Sequence, residues 1–530
     1  MISSSRLRLP EPIADALGRL ADRYEALALG RFAFAERPQA AGRLLVLLLV
    51  GHVLVWTLQP WLSHENLADS VDMVENWVWG QEWRLGYWKH PPFFAWVTAA
   101  WFAVLPRADW AYYLLAATNA AVGLAGIWAL TGRVDASPRR RLVAVAALSL
   151  TPIYGFLALK FNANAILLSV WPWAAWIFLK ALDTRAARDG ALLGLLLAVA
   201  MLSKYVSLVL VVGMIAVVLF DRDRWTLARS PAAIAAALVG LLAFAPHVAE
   251  MVATDFRTLA YAEHQTAESV GQFLNYLVRL PFSMLLFLAP MVGALMVALP
   301  RDQWRALARP FAVEAGDRPR RRVLALGLVP FLATCALGAW KWAKLSSQWG
   351  FPLMFTASWL TVTAPGVDER RLRLDRLALL VAVVWAGLLA TAPLADLAGV
   401  LTHTKVHTEP RAELGREVTR IWREATGTRL AAITGTFDLS HNVAFYSPDA
   451  PSVLIEYDWL KSPWLSPASV AKTGILVVCA GDDAVCAGEA IRLFGDGLVA
   501  REATVSKSWF GMRLKPLTVK LFLRLPPAGA

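Results

Sequence analysis

The chain has 530 residues, of which 57% are hydrophobic and 17% charged, with 52 Lys and Arg against 40 Asp and Glu. Soluble domains carry about 45–50% apolar and about 25% charged residues, so a mean hydropathy of +0.49 excludes a disordered or wholly water-soluble protein. The long apolar runs require lipid as a solvent, and the formal charge of +12 reads as membrane anchoring, with no nucleic-acid partner expected.

In chain order, residues 1–43 carry a helical periodicity with Arg19, Arg23 and Arg31 on the polar side. They are expected as a retained cytoplasmic amphipathic segment, because the first strong apolar run starts only near Leu44. Apolar runs predict membrane segments at 44–62, 110–131, 142–159, 165–182, 191–203, 205–220, 232–250, 280–299, 323–340, 350–364 and 376–399, eleven in all. The stretch 191–220 reads as a hairpin of two short helices with Lys204 and Tyr205 at the turn. Only that parity gathers Arg139, Arg140 and Arg141, Arg185 and Arg188, Arg222 and Arg224, Arg318, Arg320, Arg321 and Arg322, and Arg370 and Arg371 on one side.

An odd number of spans with the N-terminus inside puts everything beyond about residue 400 outside, which in a bacterium would be the periplasm. The expected fold class is a mainly α polytopic bundle. Its transmembrane domain covers 44–400, with a first outside loop at 63–109, and a small α/β domain follows at 401–530. In that tail helices are expected at 411–426 and 484–494, and strands at 430–433, 452–455 and 474–479. Of the three cysteines, Cys335 lies in an apolar run. Cys479 and Cys486 remain as the pair able to bridge in an oxidising compartment, against the alternative of two buried thiols.

Polar chemistry stands out between Ser63 and Pro92. Glu65, Asp69, Asp72 and Glu75 precede a tryptophan-rich stretch that ends in His90-Pro91-Pro92. The apolar segment that follows is short before Arg107 and reads as a helix lying along the membrane surface. Asp69, Asp72 and Glu75 share one helical face, which in an arbitrary loop is only a solvated face.

Lys89, Lys160, Lys204, Lys341 and Lys344 sit at membrane ends near Tyr205, Trp340, Trp342 and Trp349. A lysine suits a phosphate held at the bilayer surface, although snorkelling and an interfacial aromatic belt would also place these residues there. A carboxylate base, an anion site and an apolar groove together fit sugar transfer from a lipid phosphate. The carboxylate takes the acceptor's proton, the phosphate leaves against cations, and one base suffices for inversion. His247, Glu250, Asp255, Glu263 and His264 match no compact metal motif, and neither a metal nor a cofactor is expected.

Asp72-Met73-Val74-Glu75-Asn76, Trp79-Gly80-Gln81 and Gly86-Tyr87-Trp88-Lys89-His90-Pro91-Pro92 resemble the signature of bacterial glycosyltransferase family 39. That family belongs to the protein O-mannosyltransferase and aminoarabinose transferase superfamily with the GT-C fold. Lys160-Phe161-Asn162-Ala163-Asn164 before Trp171-Pro172, Leu202-Ser203-Lys204-Tyr205, Trp349-Gly350-Phe351-Pro352, and Gly435-Thr436 with Ala444-Phe445-Tyr446 agree with it more weakly. The resemblance puts Asp72, rather than Asp69, in the catalytic aspartate position. It departs at Met73, usually Glu in that family, and at His90, where Lys is common.

The resemblance implies a membrane glycosyltransferase that moves a sugar from a polyprenyl phosphate to a lipid, glycan or protein acceptor on the periplasmic face of the inner membrane. Asp72 would be the base, and Glu75 would support it or orient the acceptor. Lys89, His90, Lys204, Lys341 and Lys344 are candidates for the donor phosphate. Two other classes remain: a lipid-linked sugar transporter or flippase, which would need charges in mid-membrane, and a non-catalytic envelope assembly protein. Neither the sugar nor the acceptor is written in any motif.

Overall fold

The computed structural model describes residues 38–68, 70–263 and 266–527. The amphipathic segment before residue 38 and the alternative acid Asp69 lie outside them, as do His264 and the side chain of Glu263.

Apolar runs free of interruption form long helices. These are α1 (Pro38–Ser63), α2 (Ser70–Gly80), α3 (Phe93–Val104), α4 (Asp109–Thr131), α5 (Pro138–Ser149), α6 (Leu167–Thr184), α7 (Ala187–Ser203) and α8 (Leu208–Leu219), then α9 (Pro231–Ala253), α10 (Val270–Ala298), α11 (Arg318–Lys341) and α12 (Leu374–Leu401). Among the described residues, α1, α4, α9, α10, α11 and α12 are long and apolar enough to cross a membrane.

Two expected spans are not single helices. The run 142–159 stops as a helix at Ser149, and turns follow through 150–166, where Pro152 lacks the N–H that helix propagation needs. The run 350–364 splits at Pro352 into a 3-10 turn, Ser347–Met354, and a short helix, Ala357–Val362.

The run 191–220 breaks at Lys204, whose backbone is extended (φ −163°, ψ 134°), between α7 and α8. Its far ends return to one place. Asp183 at the end of α6 receives Arg133 at 2.5 Å and Arg322 at 3.5 Å, and Arg322 also meets Asp221, just past α8, at 3.0 Å. The stretch therefore turns back on itself, as the distribution of charge required.

α7 packs on α9 through small residues. A Cβ on Gly190 or Gly194 would collide with the backbone at Ala232 or Ala236, a close approach of the kind that membrane helices use. Gly190→Ala is therefore expected to destabilise by about 1–3 kcal/mol, despite the ~1 kcal/mol that the same exchange gains in an open helix. Gly488→Ala, at an open helical position with nothing near its Cβ site, should show the opposite sign in thermal melts of the purified protein.

The C-terminal residues build a sheet behind α13 (Arg411–Thr426). Its strands are β1 (Ala432–Gly435), β2 (Ser452–Val453), β3 (Ile475–Ala480), β4 (Val499–Val505) and β7 (Leu517–Arg524), in the order β2-β1-β3-β7-β4. β1 is parallel to β2 and β3, whereas β7 is antiparallel to β3 and β4. β5 (Ser508–Trp509) and β6 (Met512–Arg513) form a separate hairpin. The strands β4 and β7 go beyond the expected elements, although Val519, Leu521 and Leu523 bury every second residue of β7. A helix α14 (Phe437–Tyr446) follows β1, and α15 (Ala484–Phe494) is tied to β3 by a Cys479–Cys486 disulfide with Cα atoms 5.6 Å apart.

The C-terminal part is pinned to the helical part at several points. Arg107 donates to the carbonyl of Phe445 at 3.0 Å, Tyr446 to Asp109 at 2.6 Å, and Trp509 to Asp396 at 2.7 Å, while Lys507 pairs with Glu65 at 2.6 Å.

Candidate active site

α2 buries Met73, Val74, Trp77, Val78 and Trp79 and turns Asp72, Glu75 and Asn76 toward a cavity of about 630 Å³. Its placement is fixed from three sides. The Tyr112 hydroxyl donates to the Met73 carbonyl and the Asn76 amide to the Phe161 carbonyl, each at 2.5 Å. Trp79 stacks on Tyr87 with ring centres 5.2 Å apart, and the Tyr87 hydroxyl donates to the Trp79 carbonyl at 2.8 Å. Gly80 admits the Ala95 carbonyl of α3 where a Cβ would stand. The Trp-Gly-Gln and Gly-Tyr parts of the first-loop signature are thus the mounting of α2.

Asp72 meets Lys160 Nζ at 3.0 Å and the Asn162 side-chain amide at 3.0 Å. Burial pushes its carboxyl up, and the Lys160 charge with these hydrogen bonds outweighs burial, so the net shift is downward and the group stays ionised. Asn162 is itself held, because its Oδ1 caps the following turn by accepting the N–H groups of Asn164 at 2.9 Å and Ala165 at 3.1 Å. Asn164 Oδ1 in turn accepts from Lys204 Nζ at 2.5 Å. The segment 160–164 and the α7–α8 turn therefore meet at Asp72, although the sequence offered Lys160 only as one of five lysines suited to a phosphate and gave Asn162 and Asn164 no role. Their signal was present as a motif, and what the sequence lacked was the turn that aims them.

The candidate phosphate ligands divide. Lys89 lines the cavity but is bound to Glu75 at 2.9 Å and lies 4.7 Å from the Trp88 ring centre. Burial pushes the Glu75 carboxyl up to about 7, with Lys89 pulling the other way. His90 lines the cavity as well, and burial first, then the Lys204 charge, bring its imidazole down to about 3. It is neutral at physiological pH and offers a hydrogen bond without a charge.

Lys344 lines the cavity and pairs with the exposed Glu268 at 2.8 Å. Lys341 is not in the wall; its ammonium lies 4.5 Å from the Trp340 ring centre. α11 ends at Lys341 and Trp342 takes a left-handed conformation (φ 50°), so Lys341 and Lys344 share no face. Lys204 differs from all of these. It lines the cavity 5.0 Å from the Trp349 ring centre and, among the described residues, is in ion-pair contact with no carboxylate.

The rest of the wall is apolar. Val206, Leu208, Val209 and Val212 from the α8 side face Ala333 and Leu337 of α11, and Leu208, Val212 and Leu337 are also exposed on the outer surface of the bundle. Of the separate acidic and histidine group, His247 and Glu250 are satisfied locally. His247 contacts the Leu85 carbonyl at 2.6 Å and the Tyr205 hydroxyl at 2.8 Å, and Glu250 pairs with Arg84 at 3.1 Å.

The family described as dolichyl-phosphate-mannose-protein mannosyltransferase matches residues 89–249. The matched span holds Lys89, the segment 160–164 and Lys204, and begins after Asp72 and Glu75. No curated protein sequence matches the chain. Among solved structures, ArnT from Cupriavidus metallidurans bound to undecaprenyl phosphate is similar with a TM-score of 0.60 and 15% identity, over 90% of this chain and 97% of that one. The apo state of the same ArnT is similar with a TM-score of 0.55 and 15% identity, over 91% and 98%. The chain thus shares the GT-C fold of ArnT over nearly its whole length, and residues 89–249 are similar to the dolichyl-phosphate-mannose-protein mannosyltransferase family.

Proposed function

We propose that the protein transfers a sugar from a polyprenyl phosphate to an acceptor hydroxyl at the membrane surface. The observation that carries this reading is a single cavity with three parts: an ionised Asp72, a Lys204 in no ion pair among the described residues, and an apolar flank between α8 and α11 that reaches the lipid-facing surface. The ArnT structure with undecaprenyl phosphate supports a lipid phosphate as the donor's carrier.

The donor phosphate rests on Lys204 beside Trp349, its prenyl chain lies along Leu208, Val212, Ala333 and Leu337, and its sugar points to Asp72. The acceptor oxygen attacks the anomeric carbon while its proton passes to an Asp72 carboxylate oxygen. The bond from carbon to phosphate oxygen breaks with its electron pair on the phosphate, whose charge Lys204 stabilises. Inversion follows from the single displacement. Lys160 and Asn162 position the base and keep it ionised. Glu75, held by Lys89, and His90 border the acceptor side.

The domain division at residues 44–400 and 401–530 is part of the same proposal, as is the periplasmic placement of the site and the sheet. The Cys479–Cys486 bridge supports that placement, because disulfides persist in oxidising compartments.

The test is transfer from a panel of radiolabelled polyprenyl-phosphate sugars to membrane acceptors, with wild type beside Lys204→Gln and Lys341→Gln. Lys204→Gln is expected to lower kcat/KM for the donor by about 10²-fold, with Lys341→Gln close to wild type. Equal activity in all three proteins would remove Lys204 from the phosphate site, and no transfer from any donor would overturn the enzyme reading.

A further inference from the structure

α8 and α11 frame a second cavity at their opposite ends. It measures about 390 Å³ and is lined by Ala216, Val217, Phe220 and Ala325 together with Asp221, Arg222, Arg318, Arg321 and Arg322. From Arg321 to Leu337 α11 climbs roughly 24 Å at 1.5 Å per residue, so this pocket and the transfer cavity lie near opposite faces of the membrane.

Its charge is unbalanced. Four guanidinium groups and one carboxylate line it, and two further carboxylates reach in from outside the wall, Asp223 to Arg318 at 3.1 Å and Asp183 to Arg322 at 3.5 Å. Asp221 is engaged by Arg318 at 3.0 Å and by Arg322 at 3.0 Å, while Arg222 and Arg321 have no carboxylate partner among the described residues. The Nε of Arg322 is buried without an acceptor. Beside these cations Phe220 is 89% exposed and continues the outer face of α8. An anion that filled the pocket would meet arginines at one end and bilayer at the other, which is how a phosphate attached to acyl or prenyl chains arrives.

We propose that this pocket binds the phosphate of a membrane lipid, with Arg222 and Arg321 as its free ligands and Phe220 against the first carbons of the chain. The bound lipid ties the ends of α8 and α11 together and stabilises the folded bundle by mass action. This site is independent of the reading of the transfer cavity.

The test uses the full chain in zwitterionic detergent, with occupancy read by native mass spectrometry and melting midpoint as each probe is added. The probes are phosphatidylglycerol, undecaprenyl phosphate, phosphatidylcholine and inorganic phosphate. Arg222→Gln/Arg321→Gln removes the free ligands without touching Asp221. Arg188→Gln/Arg305→Gln removes two exposed arginines outside the pocket and serves as the control for general surface charge.

The expected result is anionic-lipid binding at least tenfold weaker in Arg222→Gln/Arg321→Gln and unchanged in the control. Such a loss seen with phosphatidylglycerol identifies a phospholipid, and a loss confined to undecaprenyl phosphate identifies the polyprenyl carrier. Equal weakening in both double variants, or in neither, overturns the proposal. Inorganic phosphate or phosphatidylcholine binding as tightly as the anionic lipids would overturn it too.

Discussion

Asp72→Asn should cut sugar transfer by about 10²–10⁴-fold or more while the protein still folds and melts near the wild-type temperature. Asparagine keeps the size of the side chain and one acceptor oxygen for the Asn162 amide, but it cannot take the acceptor's proton and leaves Lys160 facing a neutral group. The aspartate side chain is 36% exposed, so little stability is at stake and a loss of rate cannot be laid to unfolding. A variant with full activity would remove the base from the mechanism.

The same geometry sets the acid side of the pH profile. The Asp72 carboxyl is shifted below its ordinary value once Lys160 and its hydrogen bonds outweigh burial, so kcat/KM should hold until the pH falls below the usual carboxylate range. Lys160→Gln removes the main downward influence. The acid limb should then move to higher pH, with the rate at alkaline pH much less affected. A merely structural role for Lys160 would lower the rate at every pH alike.

The second large effect is on stability. Glu75 and Lys89 form a buried pair at 2.9 Å, with side chains 5% and 17% exposed. Removing one partner of such a pair costs about 3–5 kcal/mol. Lys89→Met leaves Glu75 without its cation, and the carboxyl escapes part of the cost by keeping a proton.

The sign follows from linkage. Even in the wild type burial raises the folded carboxyl to about 7. The folded protein therefore holds a proton that the unfolded chain has released, and stability falls as the pH rises from the ordinary carboxylate range through about 7. In Lys89→Met the fall should extend to higher pH and deepen. Melting of that variant should be close to wild type at mildly acid pH and far below it at alkaline pH. Glu75→Gln/Lys89→Met should recover most of the difference and lose the slope. A pH-independent loss would show that Lys89 acts by packing alone.

Much of this architecture is legible in the residues. The resemblance, through the spacing from Asp72 to Trp79-Gly80-Gln81, pointed to an acid that lines the cavity together with Glu75, and Trp79 and Gly80 are the contacts that seat α2. Loop charge found the turn at Lys204, since arginines at both outer ends of α7 and α8 fix the parity. Local patterns failed where the chain reverses. Lys341 and Lys344 look like neighbours until the left-handed Trp342 separates them. Asn162 looks like a loop residue until its cap on residues 164 and 165 aims its amide at Asp72. The charge of His90 was not legible at all, because burial beside Lys204 decides it and both are matters of tertiary packing. β7 alternates in burial and β4 does so only over its last residues, but their strand signal is local, and the order of the sheet depends on pairings far apart in sequence.

The shortness of α8 has a consequence for the surrounding lipid. α8 with the 3-10 turn before it, Tyr205–Leu219, rises roughly 22 Å at 1.5 Å per residue, against a hydrocarbon layer of about 30 Å. The outward face of this segment, Leu208, Val212, Ile215 and Leu219, is exposed along its length. Lipid beside it must thin locally to cover that face and no more, at a cost of a fraction of a kcal/mol per Å of mismatch. On the proposed function, this dimple would lie at the flank through which a polyprenyl phosphate enters and would bring the headgroup level down toward Lys204. Bilayer thickness would then control access of the donor: short-chain lipids should favour turnover and long-chain lipids should slow it, with no change in any protein contact.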